Sequence, residues 1–225
     1  MKDIFVLALG AAVLLSGLGT LGAQSQEETR VDLATEIIQK MSKDPDQAIP
    51  ESLVERSRGI AVIPKVVKVG LIVGGQHGKG IMVVRRHDGS WSNPYFLSLS
   101  SGSVGLQIGG QGADVVLLFM TERAAEEAGK GKFTLGADAG AAAGPVGRQA
   151  GKSTDTGLEA EIYTYAWTRG LFAGFSVEGA VLRIDEKANA NYYGKSGISV
   201  DDIVRDRYGK SPSSASKFRN ALTNY

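Results

Sequence analysis

From Gly59 onward the chain runs in short β-branched stretches cut by glycine, and few architectures tolerate that texture. Ile60-Ala61-Val62-Ile63, Val66 to Val73 and Ile81 to Val84 are separated by Pro64 and glycine clusters. Such runs bounded by turn residues make strands, and glycine inside them marks bulges or close backbone approach. Glycine supplies thirty of 225 residues, nearly twice the usual share of about 7%. In helices that many glycines would each cost about 1 kcal/mol. The pattern calls for a sheet.

The remaining elements follow from local signals. Ser25 with Glu28 forms a capping box, and Val31, Ala34, Ile38 and Met41 continue at helical spacing, so residues 26–43 are expected to be an amphipathic helix. Pro50 suits the first position of a short helix that ends before Gly59. His87-Asp88-Gly89-Ser90 reads as a hairpin turn into a strand from Trp91 to Leu99. Ser103–Ile108 and Ala113–Phe119 are expected strands, and Thr121 caps a short helix through Ala128. Residues 136–157 are Gly/Ala-rich and weakly periodic, a tight strand or a loop. In Glu161–Thr168 the side chains alternate, with Tyr163, Tyr165 and Trp167 on one face, an aromatic stripe expected in the core. Leu171–Val177 and Ala180–Ile184 read as the next strand pair. Ser199 starts a short helix, and Ser211-Pro212 caps a last one carrying Ala215, Phe218 and Leu222 on one face. The expected class is α+β: a strand-rich, mainly antiparallel, glycine-rich sheet with helices at the N- and C-terminal ends.

Residues Ile4 to Ala23 carry no charge and end in Leu21-Gly22-Ala23 before the polar run at Gln24. That reads as a signal peptide over 1–23, followed by a single domain over 24–225; a retained membrane anchor is the alternative. The chain is thus expected to be exported, periplasmic or extracellular. Absence of cysteine excludes disulfides, thiolate metal sites and cysteine nucleophiles. Two histidines leave little for a metal centre, and His77, His87 and Asp88 fit no familiar ligand spacing. Enzyme motifs fail as well. Gly151-Lys152-Ser153 and Gly194-Lys195-Ser196 resemble a P-loop ending, but Val146 and Asn189 stand where it needs glycine. Ser103 and Ser176 each lack one flanking glycine of a nucleophile elbow. The expectation is no cofactor, no metal and no catalysis.

Charge is distributed more tellingly than its near-zero sum suggests. Arg56, Arg58, Lys65, Lys68, Lys79, Arg85 and Arg86 fall in a stretch to His87 that has no acid, whereas Glu27 to Glu55 holds eight acids and three bases. Two readings stay open: a positive face for phosphate-bearing ligands, or strands neutralised by acids from elsewhere. Nucleic acid is not expected, since no reading helix or aromatic-basic RNA signature is present.

Ordered motifs extend this reading. Gly59-Ile60-Ala61-Val62-Ile63-Pro64, Gly78-Lys79-Gly80, Asp88-Gly89-Ser90-Trp91-Ser92-Asn93-Pro94 and Gly102-Ser103-Val104-Gly105-Leu106-Gln107-Ile108-Gly109 are followed by Gly136-Ala137-Asp138. Ala143-Gly144-Pro145-Val146-Gly147-Arg148, Gly170-Leu171-Phe172-Ala173-Gly174, Glu178-Gly179 and Asn191-Tyr192-Tyr193-Gly194 complete the series. Over about residues 30–194 the chain resembles the SYLF domain family, which includes endocytic proteins of yeast and animals that bind phosphoinositides and regulate actin. The resemblance implies a non-enzymatic module that binds anionic membrane lipid through a basic surface, here Arg56, Arg58, Lys65, Lys68, Lys79, Arg85 and Arg86. The alternatives are a structural envelope protein acting through protein contacts and an enzyme of unknown chemistry. Actin enters by family analogy alone, and an exported protein would meet none. The helix after Ser25 departs from a membrane-seeking one, because Glu27, Glu28, Asp32 and Glu36 would be repelled by an anionic bilayer.

Overall fold

Ser25 caps the first helix as its spacing predicts: its hydroxyl accepts from the Glu28 amide at 3.0 Å, and the Glu28 carboxylate accepts from the Ser25 amide at 3.1 Å. The computed structural model describes residues 24–43, 48–70, 73–104, 111–145, 160–168, 171–172, 177–209 and 211–225, with side chains omitted at 68–70, 73–74, 103–104, 111 and 171–172. The 1–23 segment and Gly151-Lys152-Ser153 lie outside the described residues, as does most of the 136–157 stretch. No described helix is long and apolar enough to cross a membrane.

Helices α1 (Gln26–Lys43) and α2 (Glu51–Arg56) precede the strands β1 (Gly59–Gly70), β2 (Val73–Val84), β3 (Tyr95–Val104) and β4 (Gln111–Phe119). Then come α3 (Glu122–Ala128), β5 (Lys132–Thr134), β6 (Ala141–Ala143), β7 (Ile162–Thr168), β8 (Leu171–Phe172) and β9 (Val181–Ile184). The chain closes with α4 (Glu186–Tyr193), α5 (Val200–Val204) and α6 (Ser213–Thr223). All nine described strands join one sheet in the order β5-β9-β3-β2-β1-β4-β7-β6, with β8 paired to β7. Among the described strands, only the β6–β7 pair is parallel. The α+β expectation holds.

Strand alternation divides the core between the two faces of the sheet. Ile60, Val62, Ile81, Val83, Val116, Leu118, Tyr163, Tyr165 and Trp167 point toward α1, α2, α4 and α6. Ala61, Ile63, Met82, Tyr95, Leu97, Val115, Leu117, Phe119 and Ala166 point the other way, toward α3 and α5. Both faces being covered explains why β1 reads as an unbroken apolar run and not as an alternating one. The aromatic stripe is core, with Tyr165 and Trp167 stacked at 5.8 Å between centroids.

Several local expectations shift. The turn forms, with Gly89 at φ 82 and Asp88 accepting from Ser90, but the strand begins at Tyr95 and not Trp91. Pro94 explains the delay, since it has no amide to donate to a ladder. Pro50 is the N-cap of α2, one place before the first turn. Ser211 does not cap α6; Pro212 occupies that place and the Ser211 hydroxyl bonds Asn93 at 2.9 Å. Helix α4 was not expected, although Asp185 caps it and Gly194 ends it at φ 64. Those flanking residues were the available signal, obscured by its weakly periodic interior.

Candidate functional site

The seven basic residues do not converge. Strands β1 and β2 pair with Gly59 opposite Val84 and Lys68 opposite Gln76. Nine residues at about 3.3 Å each set Gly59 and Lys68 roughly 30 Å apart along β1. Arg56, Arg58, Arg85 and Arg86 therefore gather at one end of the hairpin, joined by an Arg85 amide to Arg58 carbonyl bond of 2.8 Å. Lys68, whose side chain is not described, sits toward the other end, and Lys65 lies midway along β1. Lys65 adopts φ 51 at a β-bulge, where its amide donates to Asp114 Oδ1 at 2.9 Å and its side chain is exposed.

Lys79 lies between the two ends and is already engaged, with its Nζ 3.0 Å from Asp185 Oδ2. Burial alone would raise the Asp185 carboxyl. The Lys79 hydrogen bond, the Ala188 amide and the charges of Lys79 and Arg30 outweigh it and hold the carboxyl below its ordinary value. A folded-state value below the unfolded one adds stability that is present above the unfolded value, about 3.9, and is lost as pH falls through the folded value. Asp185→Asn is thus expected to be less stable than wild type in urea at neutral pH. The gap should close as pH falls below about 4; a gap of constant size would rule the charge out as its cause.

Arg85 and Arg86 are committed to the fold. The Arg85 guanidinium lies 4.1 Å from the Trp91 ring centroid and donates to the carbonyls of Ser57, Gly89 and Val54 at 3.1, 3.0 and 3.2 Å. Burial and the neighbouring Arg58 charge lower its pKa, with Glu55 opposing. Arg86 donates to the Val204 carbonyl at 2.8 Å and to Asp206 at 2.6 Å, tying the turn to the end of α5. Arg56, Arg58 and Lys65 remain exposed, and no described acid lies within ion-pair distance of them.

At the arginine end, a cleft of about 1000 Å³ opens between the β2–β3 turn, α3 and α5. Arg58 and Arg86 stand on its strand side, Glu122 and Glu126 on α3, and Val200 and Val204 on α5. Tyr95 also lines it, fully buried, and its hydroxyl has no hydrogen-bond partner among the described residues. Burial pushes that phenol's pKa well up, so it is a neutral donor. Sequence reasoning found Arg58 and Arg86 but missed Tyr95, Glu122 and Glu126. Nothing local marks them, since α3 follows β4 and reaches the β2 end only by packing. The described residues contain no group of His, Asp or Glu able to hold a metal; His77 and His87 are exposed.

The family described as "Las17-binding protein actin regulator", Ysc84, matches residues 100–225. The chain belongs to the Ysc84 family. The SYLF resemblance read over residues 30–194 overlaps this match and reaches upstream of it. Protein YSC84 of Saccharomyces cerevisiae is 36% identical over 152 residues, covering 66% of this chain and 32% of that protein. SH3 domain-containing YSC84-like protein 1 is 35% identical in Xenopus laevis over 161 residues, covering 71% of this chain and 48% of the relative. The human protein of that name is 34% identical over 163 residues, covering 72% and 47%. The chain thus spans about a third to a half of these Ysc84-family relatives. A further yeast relative is named LAS seventeen-binding protein 3, and none of these names is that of an enzyme.

Proposed function

We propose that the chain is a non-enzymatic binding module, exported through its uncharged N-terminal segment, that docks peripherally on membranes bearing anionic, phosphate-containing lipid. One observation carries the reading: Arg56, Arg58 and Lys65 are exposed and free of ion pairs among the described residues, in a stretch without acids. Each lysine or arginine near a charged bilayer contributes about 1 kcal/mol, so a few acting together give measurable attachment. The acidic α1 argues for surface docking and against insertion of that helix.

Sedimentation with phosphatidylcholine vesicles, with and without phosphatidylglycerol, tests this. Wild type should bind only the anionic vesicles and release them as salt rises, because charges are screened beyond about 8 Å at physiological ionic strength. Joint reversal, Arg56→Glu with Arg58→Glu, should weaken binding at least tenfold by the same ~1 kcal/mol per charge. Reversal of exposed Lys132 and Lys217 should change it little. A second reading, a protein partner, is favoured by relatives named for Las17 binding. It predicts no dependence on lipid charge, and that result would displace the lipid reading.

A further inference from the structure

The cleft carries more information than its rim. Its lining holds five cations, Arg58, Arg85, Arg86, Lys130 and Arg205, against five acids, Asp88, Glu122, Glu126, Asp201 and Asp206. Most are spoken for. Arg86 pairs with Asp206, Arg205 with Asp201 and Lys130 with Glu127, while Arg85 serves backbone carbonyls and Asp88 serves Ser90. What remains among the described residues is Arg58 on the strand side and the carboxylates Glu122 and Glu126, one helical turn apart, on α3. A simple anion would meet Arg58 but be repelled by two carboxylates; a simple cation would face the reverse. A ligand bearing both charges satisfies both walls.

The floor supports occupancy independently. The Tyr95 hydroxyl is a buried donor without an acceptor, and leaving such a group unmade costs about 1–3 kcal/mol. It lies beside Gly129, where an added Cβ would sit 3.6 Å from it, and Tyr95 is part of the cleft lining. Val84, Ala125, Val200 and Val204 supply apolar walls, and the volume matches small-molecule sites of roughly 300–1,000 Å³.

We propose that this cleft binds an aminoalkyl phosphate, its phosphate on Arg58 and the Tyr95 hydroxyl and its ammonium on Glu122 and Glu126. The assignment goes beyond the anionic-lipid reading: the same chemistry occurs in a zwitterionic, ethanolamine-bearing lipid headgroup and in a free phosphate ester.

Titration of the isotope-labelled chain with phosphoethanolamine, followed by NMR, provides the test. Saturable shifts are expected at Gly129 and Tyr95, with inorganic phosphate alone and ethanolamine alone each at least tenfold weaker. Arg58→Gln, Glu126→Gln and Tyr95→Phe should each weaken binding about tenfold, while Lys217→Gln should not. Tyr95→Phe removes an unpartnered buried group, so the unliganded fold should keep or raise its melting temperature and the loss should be one of binding alone. Equal binding of inorganic phosphate, absence of saturable shifts, or an unaltered Tyr95→Phe affinity would each overturn the site. Vesicles then separate the sources. Competition by phosphatidylethanolamine but not phosphatidylcholine vesicles supports the lipid headgroup. Phosphoethanolamine binding without vesicle competition keeps the site for a soluble ester and removes the lipid headgroup as its ligand, while the anionic-membrane reading stands or falls on its own vesicle test.

Discussion

Gly80→Ala should lower stability by about 3 kcal/mol or more, the upper range for overpacking a well-filled interior. A Cβ built at Gly80 falls 2.3 Å from the Val62 carbonyl oxygen and 2.8 Å from Ile63 Cα. These are backbone atoms of the neighbouring strand, so no rotamer change relieves the clash. The cause is the bulge in β1. Pairing with β2 is regular up to Val62 opposite Ile81 and resumes at Val67 opposite His77, leaving residues 63–66 against residues 78–80. The extra residue crowds β1 against β2, and glycine at 78 and 80 makes room. Gly78→Ala meets Ile63 and Val66 methyl groups at 2.7 Å, which can partly turn aside, and should cost less. Gly102→Ala, on exposed β3 backbone with nothing within 4 Å, should stay within about 0.5 kcal/mol of wild type. Urea unfolding of the three variants gives the comparison. Equal midpoints for Gly80→Ala and Gly102→Ala would remove the bulge argument.

Arg85→Ala should be the costliest loss among the basic residues, about 3 kcal/mol, or a melting point lower by roughly 6–12 °C for a chain of this size. The substitution removes three hydrogen bonds from a charged donor and the stacking over Trp91. It also strips a partner from the carbonyl of fully buried Ser57. Charge-assisted bonds contribute roughly 1.5–3 kcal/mol each but do not add, and half-exposure of the site reduces them. Arg85→Lys should recover less than half of the loss, because a single ammonium cannot span three carbonyls and present a flat face to the indole. Arg58→Ala, with no described side-chain partner, should leave the melting temperature nearly unchanged. Were Arg85→Ala and Arg58→Ala equally mild, Arg85 would belong with the ligand-binding residues and not with the scaffold.

That contrast separates what is local from what is not. The capping box at Ser25, the Thr121 and Ser199 caps and the Gly89 turn were legible because each rests on residues two to four apart, and short-range geometry does not wait for the rest of the fold; the α+β class followed from the order of such elements along the chain. The alternation in β7 likewise told which residues share a face. The start of β3 and the helix after Asp185 slipped because cross-strand pairing and packing decide where an element begins.

For the basic stretch, sequence by itself determined that seven cations occur without an intervening acid. Only the tertiary structure decided their roles, because a strand spreads its residues over about 3.3 Å each and turns neighbours to opposite faces. Asp185, Asp206 and Trp91 then claim Lys79, Arg86 and Arg85 from remote or separate positions in the chain. Tyr95, Glu122 and Glu126 join Arg58 around one cleft for the same reason: packing α3 against the strand ends sets side by side groups that the order of residues keeps apart.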